Sequence, residues 1–278
     1  LHVTGAASEE GKRKLLEARS KRPRPHLDDK ILADWNGLMI GAMAFCGTTL
    51  GEKKYVEAAE RAASVLIEKL RRKDGRWLHV GGVEGFLDDY ASLAEGFFLL
   101  HQATFKTGYA EIAVRTAELM IEEFGDPAGG FFQSGKSGEK LIARVKESYD
   151  GALPSGNSVA ALALLRLADL TSREEFRKKA EETLKFFAGT IARGPIAYPF
   201  HLCAFDALVG PAQEIVIAGD PVEMLREVRK RYLPNTVVAV VQDERTKKLI
   251  PMTAERTAID GRPAAYVCSN GACKLPAK

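Results

Sequence analysis

Asp28 and Asp29 open a ten-residue stretch, DDKILADWNG, that also holds Asp34, Trp35 and Asn36. Adjacent carboxylates can hold and move protons. Asp and Asn bond sugar hydroxyls, and an indole covers the apolar face of a pyranose ring. Two later stretches repeat this inventory: Asp88, Asp89 and Tyr90 in GFLDDYAS, then Tyr149, Asp150, Ser155 and Asn157 in SYDGALPSGNS. Asp, Ser and Asn are also the preferred residues for capping helix N-termini, so each of them alone reads as well as a cap. Three groups, each with more polar atoms than a cap needs, point to a rim facing a ligand.

Of the five histidines, His26 stands just before the Asp28–Asp29 pair and is the best placed for proton transfer at such a rim. His101 lies inside an apolar helical stretch and reads as packed there. His79 follows an amphipathic helix and is expected on the far side of the helices. The catalytic candidates are therefore His26, Asp28, Asp29 and Asp89. Trp35, Asn36, Asp88, Tyr90, Asp150, Ser155 and Asn157 are the substrate-binding candidates. His201, Cys203, Cys268 and Cys273 fit a zinc site, a local Cys268–Cys273 disulfide or plain thiols; their spacing is not a standard knuckle, and no metal or cofactor is assigned.

Helices must position these groups. Three segments share one plan: a small-residue apolar helix, a polar break, an amphipathic helix and an aromatic turn. Tyr55, Tyr109 and Phe176 open the second helices, and each is followed 22 positions later by a turn aromatic (Trp77, Phe131 and Tyr198). A constant offset marks structural repeats. The first helix of each pair is apolar nearly all round and belongs inside; the second carries a charged stripe and belongs outside. The expected fold is mainly α, an α/α toroid of the six-hairpin glycosidase type, here with about three hairpins whose inner helices present their N-terminal ends at one mouth. Beyond residue 211, QEIVIAG and NTVVAVVQ bracket a helix as a βαβ unit, with a further strand at AAYVCS. This gives a basic helix and linker over 1–25, toroid hairpins over 26–210 and a small α/β element over 211–278. The α/β element is expected to plug or flank the hairpins and to bind nothing.

Forty basic and 37 acidic residues leave a net charge of +3, too near balance for nucleic acid as the main partner. No apolar run is long enough for a membrane helix, and residues 1–20 lack a hydrophobic signal core. With four cysteines, a reducing cytoplasm is the default location.

At RPHLDDKILADWNGLMI, FLDDYA, DGALPSGNS and VCSNGACKLP the chain resembles the spermatogenesis-associated protein 20 type, over nearly its whole length. The resemblance implies a six-hairpin toroid joined to an N-terminal thioredoxin-like domain. That toroid is similar in fold to those of N-acylglucosamine 2-epimerase, cellobiose epimerase and several glycosidases. The thioredoxin-like domain is absent here, so no thiol–disulfide activity carries over. Half the hairpins are absent too, so a missing N-terminal half or a second copy is expected to complete the ring. The resulting expectation is a carbohydrate-active protein, epimerase-like or hydrolase-like, with a small sugar as its ligand. The alternative is a non-catalytic module that binds a glycan or a partner.

Overall fold

The computed structural model describes residues 8–139, 141–269 and 272–277. It divides into two compact units, with the boundary between Ile31 and Leu32.

The N-terminal unit holds one helix, α1 (Glu9–Ser20), with no buried residue. Ser8 caps it by accepting from the Gly11 amide, and Glu10–Lys14 and Glu17–Arg13 pairs lace its exposed surface. His26, Asp28 and Asp29 follow it in extended chain, all exposed, and Asp28 pairs with Lys30 at 2.8 Å.

The second unit is built from the three expected hairpins. They are α2 (Ala33–Thr49) with α3 (Lys53–Lys69), α4 (Leu87–Thr104) with α5 (Thr107–Phe124), and α6 (Gly156–Thr171) with α7 (Glu174–Arg193). A fourth inner helix follows, α8 (Pro199–Val209), packed on α6 as α6 packs on α4. The repeated offset has a structural counterpart: Arg71 bridges Trp77 after α3, and Gly125 bridges Phe131 after α5. Both turn aromatics are fully buried, and Trp77 stacks on Phe97 of α4 at 5.7 Å.

Small residues set the spacing of the inner layer. A Cβ on Gly96 would lie 2.3 Å from the Gly37 carbonyl oxygen, and one on Gly37 would lie 2.7 Å from the Ser92 backbone. Real carbon atoms do not approach so closely, so α2 and α4 touch backbone to backbone because both positions are glycine. That contact draws the N-terminal ends of the two helices together. It accounts for the small-residue run that follows Asp34–Asn36.

The α/β element stands at the opposite end of the inner helices. Strand β3 (Gln213–Ala218) pairs in parallel with β4 (Thr236–Val240) across α9 (Val222–Arg229), and antiparallel with β5 (Ala264–Ser269). Strand β4 is at the sheet edge, and the Gln102 side chain from the end of α4 pairs with both the N–H and the C=O of Val238, each at 2.9 Å. An exposed strand edge is thereby satisfied by the helical layer. Phe105, in the left-handed region just after α4, enters the apolar cluster of Ile215, Ile217, Leu225 and Val240. Through these contacts β4 and its neighbours pack against the helical layer. Cys268 and Cys273 face each other on β5 and β6 (Ala272–Cys273) and form a disulfide. Cys203 is free and exposed, so the four-residue zinc arrangement is not formed.

Candidate active site at the N-terminal ends of the inner helices

The first turn of each inner helix leaves amide N–H groups without partners inside the helix. A carboxylate answers them in every gap of the layer. Asp89 of α4 accepts from the Asp34 amide of α2 at 3.0 Å. Asp88 accepts from the Gly156 amide at the start of α6, where a Cβ would come 2.4 Å from the carboxylate and force it to shift. Asp150 accepts from Ser155 at 2.9 Å and from Phe200 and His201 of α8 at 2.8 and 3.1 Å. The acidic residues singled out in the sequence therefore join neighbouring helices at one end of the layer.

These three carboxylates differ in what else they can do. Asp150 is saturated: it also accepts from the Ser158 hydroxyl at 2.6 Å, and the His201 ring lies 3.5 Å away. Burial pushes its carboxyl up, but the His201 ring, the Ser158 hydroxyl and the Ser155 and His201 amides outweigh burial and hold it well below the carboxylate range. Asp88 is raised, first by burial and further by the charge of Asp34, against the Gln133 amide that donates to it.

Asp89 is 0% exposed and accepts from the Phe86 amide at 2.7 Å and the His79 ring at 2.9 Å. Burial pushes its carboxyl up, while the Phe86 amide and His79 oppose that rise. Because a carboxylate only accepts, Nδ1 of His79 carries the proton between them. The Nε2 atom of His79 has no hydrogen-bond partner among the described residues, and the side chain is 26% exposed. An imidazole oriented by a buried carboxylate, with its second nitrogen free, can take up or release a proton. Asp34, half-buried, brings a second acid–base group into the site. One ligand atom from each of Asp34, His79 and Asp89 lies within 4.8 Å of the others. Since both Asp89 oxygens already meet N–H donors, the trio reads as a proton-handling group.

His79 is the residue that sequence reading misplaced. It lies on β1 (Leu78–Val80), which folds back on β2 (Val83–Glu84) and returns the chain from the end of α3 to the start of α4. The signal was present as LHVGGVE, an alternating pattern split by two glycines, which marks a tight hairpin. Other expectations need correction as well. Tyr90 is 2% exposed and its hydroxyl accepts from the Trp77 amide, with burial pushing the phenol up to about 12. Asn157 is fully buried, accepting from the Phe131 amide and donating to the Phe131 and Glu147 carbonyls. Both hold loops in place through these bonds. Ser155 is the buried N-cap of α6. Asn36 turns its amide to the Leu32 carbonyl, and Trp35 is 58% exposed beside Asp34, free to stack on a ligand and costing little core packing if removed. His101 is packed, as expected, with one ring nitrogen on the Lys106 carbonyl. His26, Asp28 and Asp29 belong to the N-terminal unit and are exposed there.

No known protein-family model matches the chain. Spermatogenesis-associated protein 20 of Rattus norvegicus is 34% identical over 290 residues, spanning 96% of this chain and 37% of that protein. The Homo sapiens protein of the same name is 33% identical over the same spans. The chain is a homologue of the C-terminal part of spermatogenesis-associated protein 20. It spans little more than a third of the length of these relatives. Among solved structures, an unsaturated glucuronyl hydrolase from Bacillus sp. GL1 superposes with a TM-score of 0.52 at 17% identity, over 73% of this chain and 69% of that one. Cellobiose 2-epimerase from Bacillus thermoamylovorans does so with a TM-score of 0.52 at 12% identity, over 90% and 67%. At such identities the likeness establishes the α/α-toroid fold alone.

Proposed function

We propose that this part of the spermatogenesis-associated protein 20 homologue acts on a small sugar, moving a proton beside a carbonyl in the manner of an epimerase or isomerase. One observation carries the reading: His79, oriented by buried Asp89, is accessible at the inner-helix ends with Asp34 beside it. Proton removal and return need an acid–base pair within reach of the substrate, and these two are the partly exposed members of the cluster. Glycoside hydrolysis would instead need two available carboxylates. Asp89 is sealed, and the Asp88 oxygens already meet Gln133 and Gly156, which favours proton transfer over hydrolysis. Trp35 would supply the stacking face. Between the rim and the far end of α2, exposed Met39 would be covered by further hairpins or a second copy. A location in the cytoplasm belongs to the same proposal; among the described residues no helix is long and apolar enough to cross a membrane.

The test is exchange with solvent. The chain is incubated with cellobiose, and separately with N-acetylglucosamine, in deuterated buffer, and the C2 position is followed by NMR. Loss of the C2 proton with appearance of the epimer is expected, and His79→Gln abolishes both. Release of monosaccharide from cellobiose with the C2 proton retained would instead identify a hydrolase. No change in either sugar, with binding intact, would favour the glycan-binding module, for which exposed Trp35 is the supporting feature.

A further inference from the structure

The end of the inner helices opposite the rim carries a second cleft, of about 430 Å³, between the helical layer and the α/β element. That size is ordinary for a small-molecule site. Its floor is apolar: Phe45 of α2, Phe98 and Leu99 of α4, and Leu225, Val228 and Val238 from α9 and β4. Its polar lining is one-sided. Arg166, Arg229, Lys230 and Arg231 line the cleft, and among the described residues no Asp or Glu does.

The four cations are not equally occupied. Arg166 pairs with buried Glu95, and Lys230 pairs with Glu227 of α9. Arg231 reaches the Glu227 carbonyl at 2.7 Å. Arg229 donates only to the Ala103 carbonyl at 3.1 Å and has no carboxylate partner among the described residues. Partial burial without a compensating acid disfavours its charge. A guanidinium keeps several N–H donors in a fixed fork that suits a carboxylate or phosphate. An apolar trough with such a group at its lip has the layout of a site for an amphipathic anion.

We propose that this cleft binds a small amphipathic anion, with an unbranched apolar tail along Phe98, Leu99 and Val228 and a carboxylate head at Arg229. This goes beyond the flanking role read for the α/β element from its sequence. It is independent of the rim chemistry, since none of the lining residues belongs to the His79–Asp89 cluster.

Decanoate and 1-decanol share a tail and differ in the charged head, so calorimetric titration of the chain with each separates head from tail. Saturable binding of decanoate is expected, at least about tenfold tighter than decanol, and weakening as salt is raised. Arg229→Gln should lose about tenfold in decanoate affinity, the share of one charge-assisted contact, and leave decanol unchanged. Thr49→Glu, at an exposed position on the wall, adds a repelling charge without touching the core and should weaken decanoate likewise. Circular dichroism verifies that both variants are folded. Absence of saturable decanoate binding, equal affinity for decanol, or two folded variants that bind as the parent does would each overturn the proposal.

Discussion

Replacing Asp150 with Ala should lower the unfolding free energy by roughly 3–5 kcal/mol, the largest loss expected from any one rim substitution. Its carboxylate is the shared acceptor for the Ser155, Phe200 and His201 amides and the Ser158 hydroxyl, and so ties the start of α6 to the start of α8. Alanine leaves the three amides without this acceptor, two of them on buried residues, while the Ser158 hydroxyl keeps only the Ser155 carbonyl. The pH dependence gives a second signature. The folded-state pKa of Asp150 is depressed, so its contribution is fully present above the unfolded carboxylate value, near 4, and is lost as pH falls toward the folded value. Urea denaturation of parent and variant should therefore differ most at neutral pH and converge on acidification. A difference of under about 1 kcal/mol at pH 7 would mean that the carboxylate does not join the helices.

Asp89→Asn should have the larger effect on chemistry. The amide keeps the size of the carboxylate but brings a donor into a pocket where the Asp34 amide, the Phe86 amide and His79 all donate. One donor must face another, at a cost of about 1–3 kcal/mol, or about 2–10 °C in Tm. This exceeds the near-zero change expected when Asn replaces Asp at a simple cap. The amide can also hold His79 in the wrong tautomer, with the proton on Nε2. On a sugar that the parent turns over, the rate should fall by about 10²–10⁴-fold. Turnover equal to that of the parent, measured well below the melting temperature, would leave Asp89 as a tie between helices.

The hairpins were legible because they rest on local periodicity. Tyr55, Tyr109 and Phe176 mark the repeat, and glycines at 37 and 96 mark where inner helices touch. Helix α8 was harder to see: its eleven residues lack the paired outer helix that made the other inner helices stand out. Residue types at the rim were also legible, but their duties were not. Asp89, Asp150 and Asn157 have polar atoms enough for a ligand, yet each is consumed by amides of a neighbouring helix or loop. Sequence alone cannot count those partners, because one or more for each residue come from segments 26 to 55 residues away. His79 was misjudged because its position depends on a hairpin of five strand residues reversing the chain.

The most direct test of the rim site is the nitrogen spectrum of the imidazoles. The chain has five histidines, and His79→Gln identifies the His79 signals. On titration with cellobiose or N-acetylglucosamine, the Nε2 resonance of His79 should move in a saturable way while its Nδ1 keeps the signature of a protonated nitrogen held by Asp89. His101 and His201, both buried away from the rim opening, should not respond. If neither sugar moves His79, or if His79 carries its proton on Nε2 with Asp89 intact, the site described here is not a sugar-directed proton-transfer centre.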